Sequence, residues 1–338
     1  MRDALASVVT MPGSAPAARP RRLEYLPVAL FASVMGLSGL SVAWRLAAGR
    51  YGAPDWIAHG LAGAAVLAFV AISAAYLVKL FAASDAVRAE FAHPVAGNLF
   101  GTVLISLLLL PIVIAPVALR VAQAMWIVGA IGMLGFAWLM IDRWMSDRQQ
   151  VAHATPAWMV PVVGLLDVPL ALPGLELPPM HGLMVACLAI GLFFAVPLFT
   201  MVFARLLFEA PLSDALQPTL LILVAPFAVG FSTYVATVGS VDLFAQALYA
   251  LTLFVLTVLL GRLRLLGRCC PFRTSWWAVS FPLAAAAAAA IRFATTMPGL
   301  IADVVALALL ALASLVIAGL AGRTLLGIAR GELRTLSS

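Results

Sequence analysis

The chain has 338 residues, of which 64% are hydrophobic and only 10% carry a charge, and its formal net charge is +6. A water-soluble domain carries roughly 25% charged residues, so this composition excludes an ordinary soluble protein. A mean hydropathy of +1.10 predicts a protein that lies in a lipid bilayer.

Hydrophobic runs separated by charged or Pro-rich breaks predict ten membrane-spanning helices, because one crossing takes about 20 residues. The predicted spans lie at 25–46, 56–81, 95–117, 121–142, 156–172, 180–207, 215–238, 243–263, 275–296 and 301–322. They define three regions: a basic cytoplasmic tail at 1–22 that we expect to be disordered, a transmembrane domain at 23–330 and a short cytoplasmic tail at 331–338.

The basic residues are divided unequally between the two predicted sides of the membrane. Sixteen of the 20 Lys and Arg residues fall in the tails and in the connections after even-numbered spans, and the other four are Arg45, Arg50, Arg120 and Arg292. Because cytoplasmic loops retain basic residues, both termini are predicted to be cytoplasmic in a multi-pass protein of the plasma (inner) membrane. The same distribution accounts for the net charge, so we do not interpret it as nucleic-acid binding.

Proline residues fall inside the odd-numbered spans much more often than inside the even-numbered ones. They are Pro111, Pro116, Pro161, Pro169, Pro218, Pro226 and Pro282, against Pro197 alone in the even set. A proline removes a helical hydrogen bond, and the freed carbonyl needs a partner in protein or water. The pattern therefore favours five helical hairpins whose kinked inner helices surround a central pore. The alternative is chance, since membrane helices tolerate proline.

Glycines refine this arrangement in two spans. Gly36 and Gly39 leave one face of the first span nearly bare, which predicts a pore-lining surface. Gly129, Gly132 and Gly135 recur at a spacing of three in the fourth span, which predicts a close helix contact.

Four segments carry a resemblance to a known family. They are FASVMGLSGLSVAWRLA at 31–47, ATPAWMVPVVG at 154–164, LQPTLLILVAPFAVGF at 216–231 and WWAVSFPLAAA at 276–286. In this order and spacing they resemble the tellurite-resistance and C4-dicarboxylate transporter family, which includes the plant stomatal anion channels. The resemblance covers about Leu23 to Arg330. It implies five hairpins in quasi-fivefold arrangement, a homotrimer, and small inorganic or organic anions as the transported partners.

The resemblance also implies a gate. Family members plug the pore with a Phe of the ninth span, and Phe281, directly before Pro282, matches that position. A ring in a narrow apolar constriction blocks ions and water, and the alanine run Ala284–Ala290 predicts a smooth wall beyond it. The residue types alone fit equally an ordinary packing aromatic and a close-packed alanine seam.

Charged side chains are scarce deep inside the predicted spans, away from their ends. Asp167 is the exception, and a carboxylate inside a span is a candidate proton or ion site. The alternative is that the predicted boundary is displaced and Asp167 lies near the outer mouth. No Lys or Arg falls at the predicted mid-membrane level, and we expect Arg292 to pair with Asp303 at the last external turn.

These features predict passive, gated conduction of small anions such as chloride and nitrate. The alternative is a secondary transporter or exporter of C4-dicarboxylate, sulfite or tellurite, with proton coupling through Asp167. The sequence has no His-Glu-x-x-His, Gly-x-Ser-x-Gly or Walker motif, so we expect no enzyme, and the widely spaced histidines predict no metal site and no cofactor.

Overall fold

The computed structural model describes residues 23–263 and 271–337, and the predicted tail at 1–22 lies outside them. Within the described residues, ten helices are long and apolar enough to cross a membrane. Numbered in chain order as spans 1 to 10, they are Val28–Tyr51, Asp55–Ala82, Ala96–Ile114, Leu119–Ser146, Pro156–Gly174, His181–Phe208, Gln217–Val238, Leu243–Arg262, Thr274–Thr296 and Leu300–Ala329. The predicted ten-span, all-α architecture is confirmed, with boundaries displaced by a few residues and most at the end of span 10.

The odd and even spans form two layers. In the most apolar part of each odd span, 56 to 78% of the residues are buried, against 6 to 39% in the even spans. The even spans expose large apolar side chains such as Leu67, Trp138 and Phe254. The odd spans therefore form the inner layer, and the even spans form an outer layer whose exposed apolar surface is of the kind that suits hydrocarbon.

The connections define two faces of the molecule. Short turns join the two helices of each hairpin on one side, here called the hairpin face. The other side, here called the terminal face, carries the longer connections between hairpins and the end of span 10. The turns at the hairpin face are residues 52–54, 115–118, 175–180, 239–242 and 297–299.

Every inner span begins at the terminal face with a 3₁₀ segment. These segments are Val28–Phe31, Ala96–Phe100, Pro156–Met159, Gln217–Val224 and Thr274–Val279. A 3₁₀ helix rises about 2.0 Å per residue against about 1.5 Å in an α-helix, so fewer residues cross the same thickness. This is consistent with inner spans of 19 to 24 residues beside outer spans of up to 30.

The prolines of the inner spans mark changes of helix type more than kinks inside α-helices. Pro161, Pro169 and Pro226 each occupy the second position of an α segment that follows a 3₁₀ segment. There the missing N–H coincides with the change from one hydrogen-bond pattern to the other. Pro111 differs from these three, because it lies inside the α-helix Gly101–Ile114, as the sequence predicts for a proline within a span.

Spans 1 and 9 approach closely at Gly36. A Cβ added at Gly36 would overlap the side chain of Ser280. That hydroxyl donates to the carbonyls of Ala32, at 3.2 Å, and Trp277, at 2.6 Å. The bare face at Gly36 is therefore filled by a helix contact. Gly129 and Gly132 likewise contact leucines of span 3, whereas Gly135 has no neighbour within 4 Å of its Cβ position.

A buried polar cluster fixes the start of span 1 at the terminal face. Glu90, on the short helix Ser84–Ala92, accepts hydrogen bonds from the Val28 amide at 2.7 Å and from the Tyr76 hydroxyl at 2.9 Å. The Lys79 ammonium lies 2.6 Å from Glu90 and also donates to the Leu26 carbonyl. Lys79 is therefore buried and paired near the end of span 2.

Candidate functional site

Two cavities meet at the ring of Phe281. The first, here called the inner cavity, extends toward the terminal face, has a volume of about 90 Å³ and is lined by residues of all five inner spans. The second, here called the narrow segment, has a volume of about 40 Å³ and extends toward the hairpin face. Phe281 lines both, and its side chain is buried. The ring therefore occupies the boundary between two spaces enclosed by the inner layer.

The local sequence explains why a ring fits there. Phe281 is the second residue of the α-helix Ser280–Thr296, directly after the 3₁₀ start of span 9. Gly39 of span 1 lies opposite, and a Cβ added to it would lie 3.4 Å from the ring of Phe281 and 3.1 Å from the Cβ of Ala284. Gly39 thus lets span 1 pack closely on span 9 at Ala284, with the ring of Phe281 beside it.

Only one face of the alanine run of span 9 lines the narrow segment. Ala285 and Ala288 line the narrow segment together with Gly39, Val229 and Ser232. They are three residues apart and so share a helix face, while Ala286, Ala287, Ala289 and Ala290 are fully buried against neighbouring helices. The run therefore combines a smooth wall with a close-packed seam.

A wider space opens beyond the narrow segment at the hairpin face. This vestibule has a volume of about 630 Å³, and Arg45, Glu176 and Arg292 line it. Arg292 also lines the narrow segment, so the two spaces adjoin at its side chain. The inner cavity, Phe281, the narrow segment and the vestibule thus follow one another across the inner layer.

The expected pairing of Arg292 with Asp303 is wrong. Asp303 accepts hydrogen bonds from Arg50 at 3.3 Å and from the Tyr51 hydroxyl at 2.8 Å. Span 10 is thereby tied to the end of span 1, because these groups lie at the same edge of the hairpin face. The side chain of Arg292 instead lines the vestibule.

Asp167 lines the inner cavity with Phe281 and is only 1% exposed. It lies on the other side of the ring from the vestibule rather than at the mouth on the hairpin face. Its Oδ1 atom has no hydrogen-bond partner, and no basic side chain within the described part of the chain forms an ion pair with it. Thr102, Thr219, Thr274 and Ser275 give the same cavity its remaining polar side chains.

The other predicted site residues lie in different places. Pro282 lines the inner cavity, and Pro226 lines an outward-facing apolar pocket beside Phe199 and Leu248. Neither the two cavities nor the vestibule is lined by the remaining predicted residues, Gly36, Pro111, Pro161, Pro169 and Pro218. Among the described residues, no group of three or more His, Cys, Asp and Glu side chains could hold a metal ion.

Sequence reasoning missed the vestibule residues. Arg45 and Arg292 were assigned only to the external side, yet both are helical residues within spans 1 and 9. The available signal was their position inside apolar helical runs, several residues before the breaks at Gly52 and Met297.

Similarities to known proteins agree with this architecture. Residues 25–325 match the SLAC1 family, described as voltage-dependent anion channel. The S-type anion channel SLAH3 of Arabidopsis thaliana is 28% identical over 315 residues, which cover 91% of this chain and 49% of the relative. The S-type anion channel SLAH2 of the same organism is 27% identical over 308 residues, which cover 89% of this chain and 59% of the relative.

An uncharacterized transporter of Methanocaldococcus jannaschii is 25% identical over 278 residues, which cover 75% of this chain and 80% of the relative. The chain spans about half the length of the plant relatives, whereas the archaeal relative is matched over most of its length. Because the family match extends over nearly the whole set of ten spans, the chain belongs to the SLAC1 family of voltage-dependent anion channels.

Proposed function

We propose that this protein is a passive, gated channel for small anions such as chloride and nitrate, with Phe281 as the plug of its pore. The observation that carries the proposal is the position of one buried ring between two cavities lined by the inner spans. Membership of the family and the names of the plant relatives support anions as the transported species.

The physical chemistry of the path fits a channel. A ring that fills a narrow apolar constriction excludes both an ion and the water it needs, and a change of rotamer would open the path. Next to the ring, Gly39, Ala285 and Ala288 form a neutral wall, which would bind a passing anion weakly, and Arg292 supplies a positive charge at the vestibule end of the same segment. Such a path favours anions that lose hydration water easily.

The assembly and orientation are parts of the same proposal. The terminal face is cytoplasmic in the plasma (inner) membrane, as the distribution of basic residues supports. The resemblance to the family supports a homotrimer that acts in transport and not as an enzyme. The exposed apolar side chains of the even spans supply a surface for lipid and for neighbouring protomers.

Anion currents under voltage clamp test the proposal, with native protein and Phe281→Ala compared in chloride and in nitrate. We expect a small native current and an increase of tenfold or more in the variant, because truncation joins the inner cavity to the narrow segment. Phe31→Ala is a matched control, since Phe31 is a buried ring of span 1 that packs on Phe69 instead of lining the path.

One observation favours a second candidate, a secondary transporter or exporter of C4-dicarboxylate, sulfite or tellurite. The buried, unpaired Asp167 in the inner cavity is suited to proton coupling. Uptake into proteoliposomes under an imposed pH gradient separates the candidates. A transporter would show saturable uptake that depends on the gradient and is lost in Asp167→Asn, whereas a channel would show flux that follows the anion gradient and voltage alone.

A further inference from the structure

The vestibule at the hairpin face contains two arginines that form no ion pair with an acidic side chain of residues 23–263 or 271–337. Arg45 donates one hydrogen bond from Nη2 to the carbonyl of Ile112, at 2.8 Å. The half-buried side chain of Arg292 has no hydrogen-bond partner among the described residues, and its Nε atom is buried. Both side chains line the same space of about 630 Å³.

The surroundings of the two arginines do not neutralise them. Both positive charges line the same space, and like charges repel each other. Glu176 lines the same space, but its exposed carboxylate forms no ion pair with either arginine in the part of the chain that the structure describes. Arg292 is partly buried and has no hydrogen-bond partner among the described residues, and such a cation is costly. Arg45 is exposed and lines the same space, so a negatively charged ligand in the vestibule would be attracted by both charges.

We infer that Arg45 and Arg292 form a binding site for a small oxyanion, such as nitrate or a carboxylate, in this vestibule. The inference rests on the proposed function and deepens it by naming the site at which the anion is held. The planar guanidinium fork donates two parallel hydrogen bonds to an oxyanion, which a spherical halide cannot accept in the same way. The site therefore favours oxyanions over chloride.

The position of Arg292 gives the site a role in permeation. Its side chain borders both the vestibule and the narrow segment, so an anion held there lies next to the path toward Phe281. Arg50 provides a contrast, because it lies at the same face but is paired with Asp303. Only the arginines without an acidic partner are assigned to the site.

Binding is tested on purified protein by the thermal unfolding midpoint, Tm, while nitrate replaces chloride at constant ionic strength. We expect nitrate to raise the Tm of native protein and of Phe281→Ala. Arg292→Gln and Arg45→Gln should each weaken the apparent nitrate affinity by about tenfold or more, since each removes charge-assisted hydrogen bonds. Arg50→Gln, the matched control, should retain the native response.

Arg292→Lys separates a specific fork from a simple positive charge. It keeps the charge but loses bidentate geometry, so nitrate should bind more weakly than to native protein while the difference between nitrate and chloride shrinks. Arg292→Lys also provides the binding test if Arg292→Gln does not fold. An equal nitrate response in native protein, Arg292→Lys and Arg45→Gln would overturn the inference, as would the absence of any nitrate response in native protein.

The nitrate-binding measurement does not require that the protein conducts anions. A nitrate response that requires Arg45 and Arg292, found in protein that passes no current even as Phe281→Ala, would support the binding site and reject the channel. Conversely, large currents in Phe281→Ala with no nitrate binding at the arginines would support the channel and reject the site.

Discussion

Gly36 is the residue on which the contact between spans 1 and 9 most directly depends. Ser280 occupies the space where a side chain at position 36 would lie. We expect Gly36→Ala to reduce the free energy of unfolding by about 1–3 kcal/mol, because overpacking forces both helices apart. Titration with a denaturing detergent measures the change.

Gly49→Ala is the matched control for this substitution. Gly49 lies in the same span, and its Cβ position has no neighbour within 4 Å. The control should be neutral or slightly stabilising, since alanine has the higher helix propensity. Equal stability of the two variants would show that spans 1 and 9 do not pack as described.

Single residues also show where sequence reasoning ends. Phe281 could be singled out because it directly precedes Pro282 in a segment that resembles the family. That its ring lies between two cavities depends on residues from all five inner spans, most of them remote in sequence. Arg292 was assigned to an ion pair because Asp303 is near in sequence. The structure pairs Asp303 with Arg50, since the end of span 1 lies closer to it than the vestibule does. Tertiary packing therefore decides which arginine pairs with Asp303, and sequence distance does not.

The short helix Ser84–Ala92 anchors the start of span 1 through a single carboxylate. Glu90 accepts hydrogen bonds from spans 1 and 2 and neutralises Lys79, which is 3% exposed. We expect Glu90→Gln to cost about 3–5 kcal/mol of unfolding free energy, because it leaves a buried ammonium without its counter-charge. The same detergent titration measures the loss.

The Arg323–Glu332 pair provides the comparison for Glu90. Its side chains are 41% and 37% exposed, so Glu332→Gln should change stability by less than about 1 kcal/mol. If the two substitutions had similar effects, the cluster at Glu90 would not anchor span 1.

At the level of the helices, the proline pattern correctly predicted which spans form the inner layer, but it did not predict that these spans contain 3₁₀ segments. Pro161 and Pro226 fall at changes from 3₁₀ to α geometry, a feature that hydrophobic periodicity does not reveal because both helix types accept the same apolar residues. Hydrophobicity located all ten spans well, since bilayer thickness constrains their length, whereas the end of span 10 extends to Ala329 and depends on the fold beyond the membrane.

The whole molecule is expected to expose its hairpin face outside the cell. In a background without Cys269 and Cys270, a cysteine at Gly299 in the last hairpin turn should react with a membrane-impermeant thiol reagent on intact cells. A cysteine at Gln150, which is exposed at the terminal face, should react only after permeabilisation. The opposite labelling pattern would reverse the proposed orientation and place the vestibule in the cytoplasm.

If the ring at position 281 closes a pore enclosed by the inner spans, anion conduction depends on the size of the side chain at that position. Single-channel recordings of Phe281→Leu, Phe281→Val and Phe281→Ala should show anion conduction that increases as the side chain shrinks, with native protein lowest. Each truncation widens the junction of the inner cavity and the narrow segment. Folded variants with unchanged conduction, or with no conduction at any side-chain size, would show that the ring of Phe281 does not close a pore.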